Sequence, residues 1–344
     1  MTTRFGWHGR LAVALGLTAS LAVAAPAVAA TTVSVSGGTT TLKLDGKTVK
    51  ALKKAGVTIT ATKPAKLKGG AVSFPVSGGS IDPATAKGTL SHKGGLTLKA
   101  GKKKVALSAV TLNSSKGTFT AKAGKKTVAF ASAKGGKVTR EGFATKADGY
   151  KVALSKAGAA ALNKALGGKA FKSGAKLGTA NTAPVSKEIA LERGATTLTF
   201  APQVAGALAQ ARASIAPSAP ATADPATGAI SFPITGGTLD ASTLFGTIRH
   251  SGGLSIGSFT LTDLAVSVSA TPTLSTNLGT IADLDISGLR QNVDPATRTI
   301  TLEGVGVKLN SLAATTLDAA FFGGRGVLTA GTTIAGASLQ ATAR

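Results

Sequence analysis

Val72-Ser-Phe-Pro-Val-Ser-Gly-Gly-Ser-Ile-Asp-Pro-Ala-Thr-Ala-Lys-Gly-Thr-Leu-Ser-His-Lys-Gly-Gly-Leu-Thr-Leu98 recurs without a gap, 158 positions later, as Ile230 to Ile256. The alignment sets Phe74 on Phe232, Pro75 on Pro233, Gly78-Gly79 on Gly236-Gly237, Asp82 on Asp240 and His92 on His250. An internal repeat of this length decides the architecture, because each copy must be a folding unit of the same kind. Similarity continues on both sides. Thr41 to Leu44 aligns with Thr197 to Phe200, and Lys151 to Leu154 with Gly306 to Leu309. Two domains, about 33–180 and 195–340, are therefore expected, with a linker near Asn181 to Lys187 that carries Pro184.

Within each copy the apolar pattern is that of short strands. Val57 to Thr60, Ala71 to Phe74, Val105 to Leu112, Gly117 to Thr120, Thr127 to Phe130, Phe259 to Thr262 and Thr299 to Leu302 are rich in Val, Ile, Thr and Phe. Gly, Lys, Asn and Ser separate them, as turn residues do. Three Asp-Pro-Ala-Thr tetrads, at Asp82, Asp224 and Asp294, predict turns in which the carboxylate accepts a local amide. The glycine pairs predict tight turns or bulges. Helices are expected from Ser155, a capping residue, through Leu166 to Gly167, with a counterpart ending over Asp318 to Phe322. Thr48 to Lys54 and Gln203 to Arg212 are further candidates. The fold class is mainly β: two tandem antiparallel β-sandwich or barrel-like domains, each with one or two short helices.

Residues 1–30 have the pattern of a secretory signal peptide. Arg4 and Arg10 precede the apolar run Leu11 to Val23, and Ala27-Val28-Ala29 is a small-residue cleavage pattern. The mature chain is expected to begin near Ala30 or Thr31 and to be secreted to the cell envelope. Cysteine is absent. Thiolate nucleophiles, thiolate metal sites and disulfide staples are thereby excluded, and core burial alone must hold each domain.

Charge is divided unevenly between the copies. Residues 31–180 carry 28 Lys and Arg against 4 Asp and Glu, and residues 181–344 carry 9 against 10. A dense positive surface favours an anionic wall polymer or lipid surface as partner, unless the lysines serve only to keep sheet edges apart. Nucleic acid is a poorer match: Phe74, Phe119, Phe130, Phe143, Tyr150 and Phe171 sit mostly where strands want burial. No hydrolase elbow, zinc-protease helix, phosphate loop or dinucleotide fingerprint occurs. Each domain offers one histidine, and the spacing of Asp82 to His92 and of Asp240 to His250 suits a capped turn better than a catalytic dyad. No enzyme, catalytic residue or metal site is expected.

A Gly-Gly-x-x-Asp turn, a short strand and then Ser-His92-Lys-Gly-Gly-Leu96, repeated as Arg-His250-Ser-Gly-Gly-Leu254, resembles the HtaA-domain family of secreted actinobacterial proteins. The resemblance implies a largely β fold and a role in binding haem at the cell surface. Family haem binders place a tyrosine ligand near the start of the domain. The matching stretches here, Thr41 to Val57 and Thr197 to Ile215, hold neither tyrosine nor tryptophan. On this resemblance His92 and His250 are the candidate haem ligands. The expected function is a secreted envelope protein binding haem or another hydrophobic ligand. The alternative is a structural or adhesive wall protein whose lysine-rich first domain holds anionic polymer.

Overall fold

The computed structural model describes residues 32–344; the expected signal peptide lies outside the described residues. Each copy is a closed eight-stranded antiparallel barrel. The first is built from β1 (Val33–Leu44), β2 (Ala71–Ile81), β3 (Gly88–His92), β4 (Lys103–Asn113), β5 (Thr118–Ala123), β6 (Lys126–Lys134), β7 (Ala144–Leu154) and β8 (Lys176–Ser186). The second uses β9 (Glu188–Phe200), β10 (Ile230–Asp240), β11 (Gly246–His250), β12 (Ala265–Val268), β13 (Thr273–Thr276), β14 (Gly279–Asp285), β15 (Thr299–Leu309) and β16 (Thr333–Ala343).

Every strand pairs with its neighbours in sequence. The rings close where β8 returns to β1 and β16 to β9. Of the two architectures expected, the closed up-and-down barrel is the one formed, and closure removes the exposed edges an open sheet would leave. Additional short strands decorate the rings. Val57–Thr62 pairs with Gly95–Ala100, which in turn extends β4.

Four helices join strands at one end of the barrels: α1 (Gly46–Lys54), α2 (Lys156–Leu166), α3 (Pro202–Gln210) and α4 (Ser311–Phe322). Ser155 caps α2 by accepting from the Gly158 amide, and Gly167 leaves it at φ 70°, as its sequence predicts. Asn310 and Gly323 play the same parts for α4. The three Asp-Pro turns also form, each aspartate accepting the amide two residues on. No helix among the described residues is long and apolar enough to cross a membrane.

The expected linker is strand instead. β8 runs through Ser186, and only Lys187 separates it from β9. Pro184, which suggested a break, is seated opposite Gly38 beside a bulge at Val35/Gly37. Gly38 has φ 106°, and a Cβ there would lie 2.7 Å from the Pro184 Cα. A bulge is where a strand accommodates proline.

With no free linker, the described residues form one compact unit, and the copies meet at the ends opposite the helices. The seam is made by the connecting residue and by the end of β16. Lys187, following β8, accepts at its carbonyl from Ala241 in the Asp240 turn. Arg344, following β16, makes a two-pronged contact with Asp82 in the equivalent turn of the first copy, Nε–Oδ1 2.9 Å and Nη2–Oδ2 3.0 Å. Arg140 donates to the Arg344 carbonyl at 2.6 Å, and Phe143 packs on the second barrel's apolar cluster around Ile189 and Ile300. Burial alone would raise the Asp82 carboxyl, but the Arg344 guanidinium and the Ala84 amide hold it below its ordinary value.

Replacing Arg344 by alanine leaves the buried Asp82 carboxylate without its guanidinium. The expected cost is about 2 kcal/mol, read as a lower midpoint in urea unfolding. The same variant should lose the part of the wild type's acid sensitivity that sets in as the pH falls below the ordinary aspartate value. An unchanged midpoint would mean that the seam does not depend on this pair.

Candidate functional site

His92 and His250, the two candidates from sequence, occupy equivalent places at the inward-facing ends of β3 and β11, and both are buried. Their position follows from two backbone devices. The bulge at Gly78 and its equivalent at Gly236 shift the register of β2 and β10 so that Val76 faces His92 and Ile234 faces His250. After the histidine, Gly94 turns at φ 82°, where a Cβ would lie 2.4 Å from the Ala65 amide nitrogen.

Opposite each imidazole the chain is sharply bent at a residue of positive φ, Ala109 in the first copy and Asp263 in the second. The bend turns the next carbonyl inward. Nδ1 of His92 lies 3.1 Å from the Val110 oxygen, and Nδ1 of His250 lies 3.1 Å from that of Leu264. A carbonyl only accepts, so Nδ1 must carry the proton. Nε2 is then the acceptor, and it takes a hydroxyl proton from Thr40 or Thr196 at 2.7 Å. In the first copy the chain extends one step further, with Thr182 donating to Thr40 at 2.9 Å. In the second, Leu339 occupies the place of Thr182. Burial pushes both imidazoles below their ordinary value, and the bonds to the carbonyls only partly oppose it. Asp82 and Asp240 bind their own turns or the seam and make no bond to either imidazole, in keeping with the capped turns expected.

The residues that distinguish the copies were not among the sequence candidates. In the first barrel, buried apolar side chains form one continuous cluster, leaving a cavity of about 60 Å³. In the second they separate into two clusters, with two chambers of about 170 Å³ each. Strand register shows why. Phe119 pairs opposite Leu112 in the first copy, and Leu274 pairs opposite Val266 in the second. By the same registers Phe130 becomes Ile281 and Tyr150 becomes Val305. Phe171, bonded to Asn163 after α2, becomes Leu328, bonded to Asp318 after α4. Four aromatic side chains of the first barrel are thus aliphatic in the second. The signal was in the sequence, but only an alignment of the copies by strand register exposes it.

One chamber lies toward the seam, with His250 and Thr196 in its wall and the half-exposed Phe245 and Ile286 at its mouth. The other lies under α4, with the exposed Leu278 and Leu312 at its mouth. Neither wall includes a charged side chain. Among the described residues no three His, Asp or Glu come together as a metal site.

No family model and no curated protein matches the chain. Among solved structures it is similar to the C-terminal domain of HtaA from Corynebacterium glutamicum, at 14% identity and a TM-score of 0.36, covering 45% of this chain and 99% of that domain. A likeness at that level carries no argument about function.

Because folding holds both imidazoles neutral, the unfolded chain binds more protons than the folded one just below the ordinary histidine value of 6.5. Stability is expected to be fully present above that pH and to decline as the pH falls toward the lower folded values. Urea midpoints measured from neutral to mildly acidic pH should show this slope, and the double variant His92→Gln/His250→Gln should flatten it. Thr196→Val, which removes the donor to Nε2, is expected to cost about 1–2 kcal/mol.

Proposed function

We propose that the protein is an exported, non-catalytic binding protein that holds an apolar small molecule inside its second barrel. One observation carries this reading: the same eight-stranded barrel occurs twice, with an internal cavity of about 60 Å³ in the first copy and two chambers of about 170 Å³ each in the second. Eight strands enclose an interior that side chains can just fill or that can take one small ligand. Cavities with apolar walls bind apolar molecules, and about 150 Å³ suffices for a benzene ring. Each mouth is rimmed by exposed apolar side chains, Phe245 and Ile286 at one and Leu278 and Leu312 at the other.

In this reading the histidines are internal braces and not haem ligands, because a haem does not fit the residues present. Nε2, the nitrogen an iron would need, accepts a threonine hydroxyl in each copy. Nδ1 is committed to a backbone carbonyl. A planar macrocycle of four pyrroles also exceeds chambers that each suit roughly one ring. Hemin is accordingly expected to give no Soret shift that disappears in His92→Ala or His250→Ala.

The direct test uses toluene, a single apolar ring of the size these chambers suit, with binding read by isothermal titration calorimetry. It should bind the native protein saturably. The double variant Ile281→Phe/Val305→Tyr, which restores two aromatics of the first copy, should lower its affinity by about tenfold or more. Toluene binding that the double variant leaves unchanged would place the ligand elsewhere and overturn the proposal.

A separate observation favours surface attachment through the first copy. Lys53-Lys54, Lys102-Lys103-Lys104 and Lys125-Lys126 are exposed at or beside the turns of its helix-bearing end. Among its described lysines only Lys146 and Lys176 pair with a carboxylate. Retention on purified anionic wall polymer should fall steeply as salt is raised, since screening acts first on exposed charge. Retention that is indifferent to salt would remove this role.

A further inference from the structure

The two chambers of the second barrel share four wall residues, Leu198, Leu264, Leu274 and Val307. All four are aliphatic. They form a waist midway along the barrel, with one chamber open past Phe245 and Ile286 and the other past Leu278 and Leu312. From Leu278 to Ile286 the chain runs along β14 between the two mouths. Eight residues of strand tilted in a barrel of this size cover about 20 Å along its axis. A leaflet of acyl chains in a bilayer is roughly 15 Å thick, half the hydrocarbon core.

We infer that the second barrel takes a single unbranched hydrocarbon chain, an acyl or similar lipid tail, threaded through the waist so that one ligand fills both chambers. This rests on the carrier reading above and adds the shape of the ligand. The alternative for the same cavities is two compact molecules, one on each side of the waist. Three features favour the chain. The path is long and narrow. The waist is closed only by flexible aliphatic side chains with no hydrogen bond to break. The walls at both ends are uncharged, so a chain with a neutral head group can pass either mouth, whereas a charged group would be stranded without a partner. The first barrel shows how the path is shut: Phe119 stands where Leu274 stands in the second, within a single packed cluster.

Native mass spectrometry of the full chain with octanol, dodecanol and hexadecanol tests this. One hexadecanol should bind per chain, more than about a hundredfold tighter than octanol, because each further methylene is buried in the second chamber. Octanol should reach two per chain. Leu274→Phe should bring hexadecanol affinity down to that of octanol while leaving octanol binding in place. Retained octanol binding also shows that the variant is folded. Two hexadecanol molecules per chain, or hexadecanol binding no tighter than octanol, would overturn the threaded chain and leave the carrier reading standing. Failure of every alcohol to bind the native protein would remove both.

Discussion

Closure of the sheet governs everything else in this molecule. Once β1 pairs with β8 and β9 with β16, every interior side chain is confined within a ring of fixed circumference. Eight strands set that circumference near the limit at which side chains alone can fill it. Ring aromatics at a few positions then decide between a solid core and a cavity, because the backbone cannot contract around smaller residues. The hydrogen-bonded histidine belongs to the same logic. It ties the end of β3 or β11 to the bend after Ala109 or Asp263, where the wall would otherwise have a gap in its ladder. A polar ring is tolerated inside because both of its nitrogens are satisfied.

Much of this was legible in the chain. The repeat announced two like units, and the alternation of Val, Thr and Phe announced strands. Ser155 and Gly167 marked a helix almost to the residue, since capping is a local interaction that needs no knowledge of the fold. Pro184 and its polar neighbours look like a break, yet they lie within a strand. What reconciles proline with a strand is Gly38, far away in sequence and adjacent only after the ring closes. Closure itself could not be read, because the pairing of first and last strands is not local.

The histidines drew attention because they are rare and duplicated, and duplication preserves braces as faithfully as ligands. In this structure each ring ties its strand to a carbonyl and a threonine hydroxyl. What separates the copies is carried by unremarkable aliphatic residues, Leu274, Ile281, Val305 and Leu328, which no motif would single out. Their meaning lies in what their counterparts are. A leucine in a core says little, whereas a leucine where the sister barrel has phenylalanine says that volume has been given up.

At the seam Arg344, at the end of the second barrel, reaches the Asp82 turn of the first, while Lys187 bonds through its backbone to both barrels, its amide to Ser34 and its carbonyl to Ala241. In a dimer of identical chains, any substitution that hollows one subunit hollows its twin, and the same holds for every lysine placed on the surface. Joining both halves through a single residue lifts that tie. One half is free to become closely packed and cationic while the other becomes near-neutral and hollow, a division of labour that strict symmetry forbids.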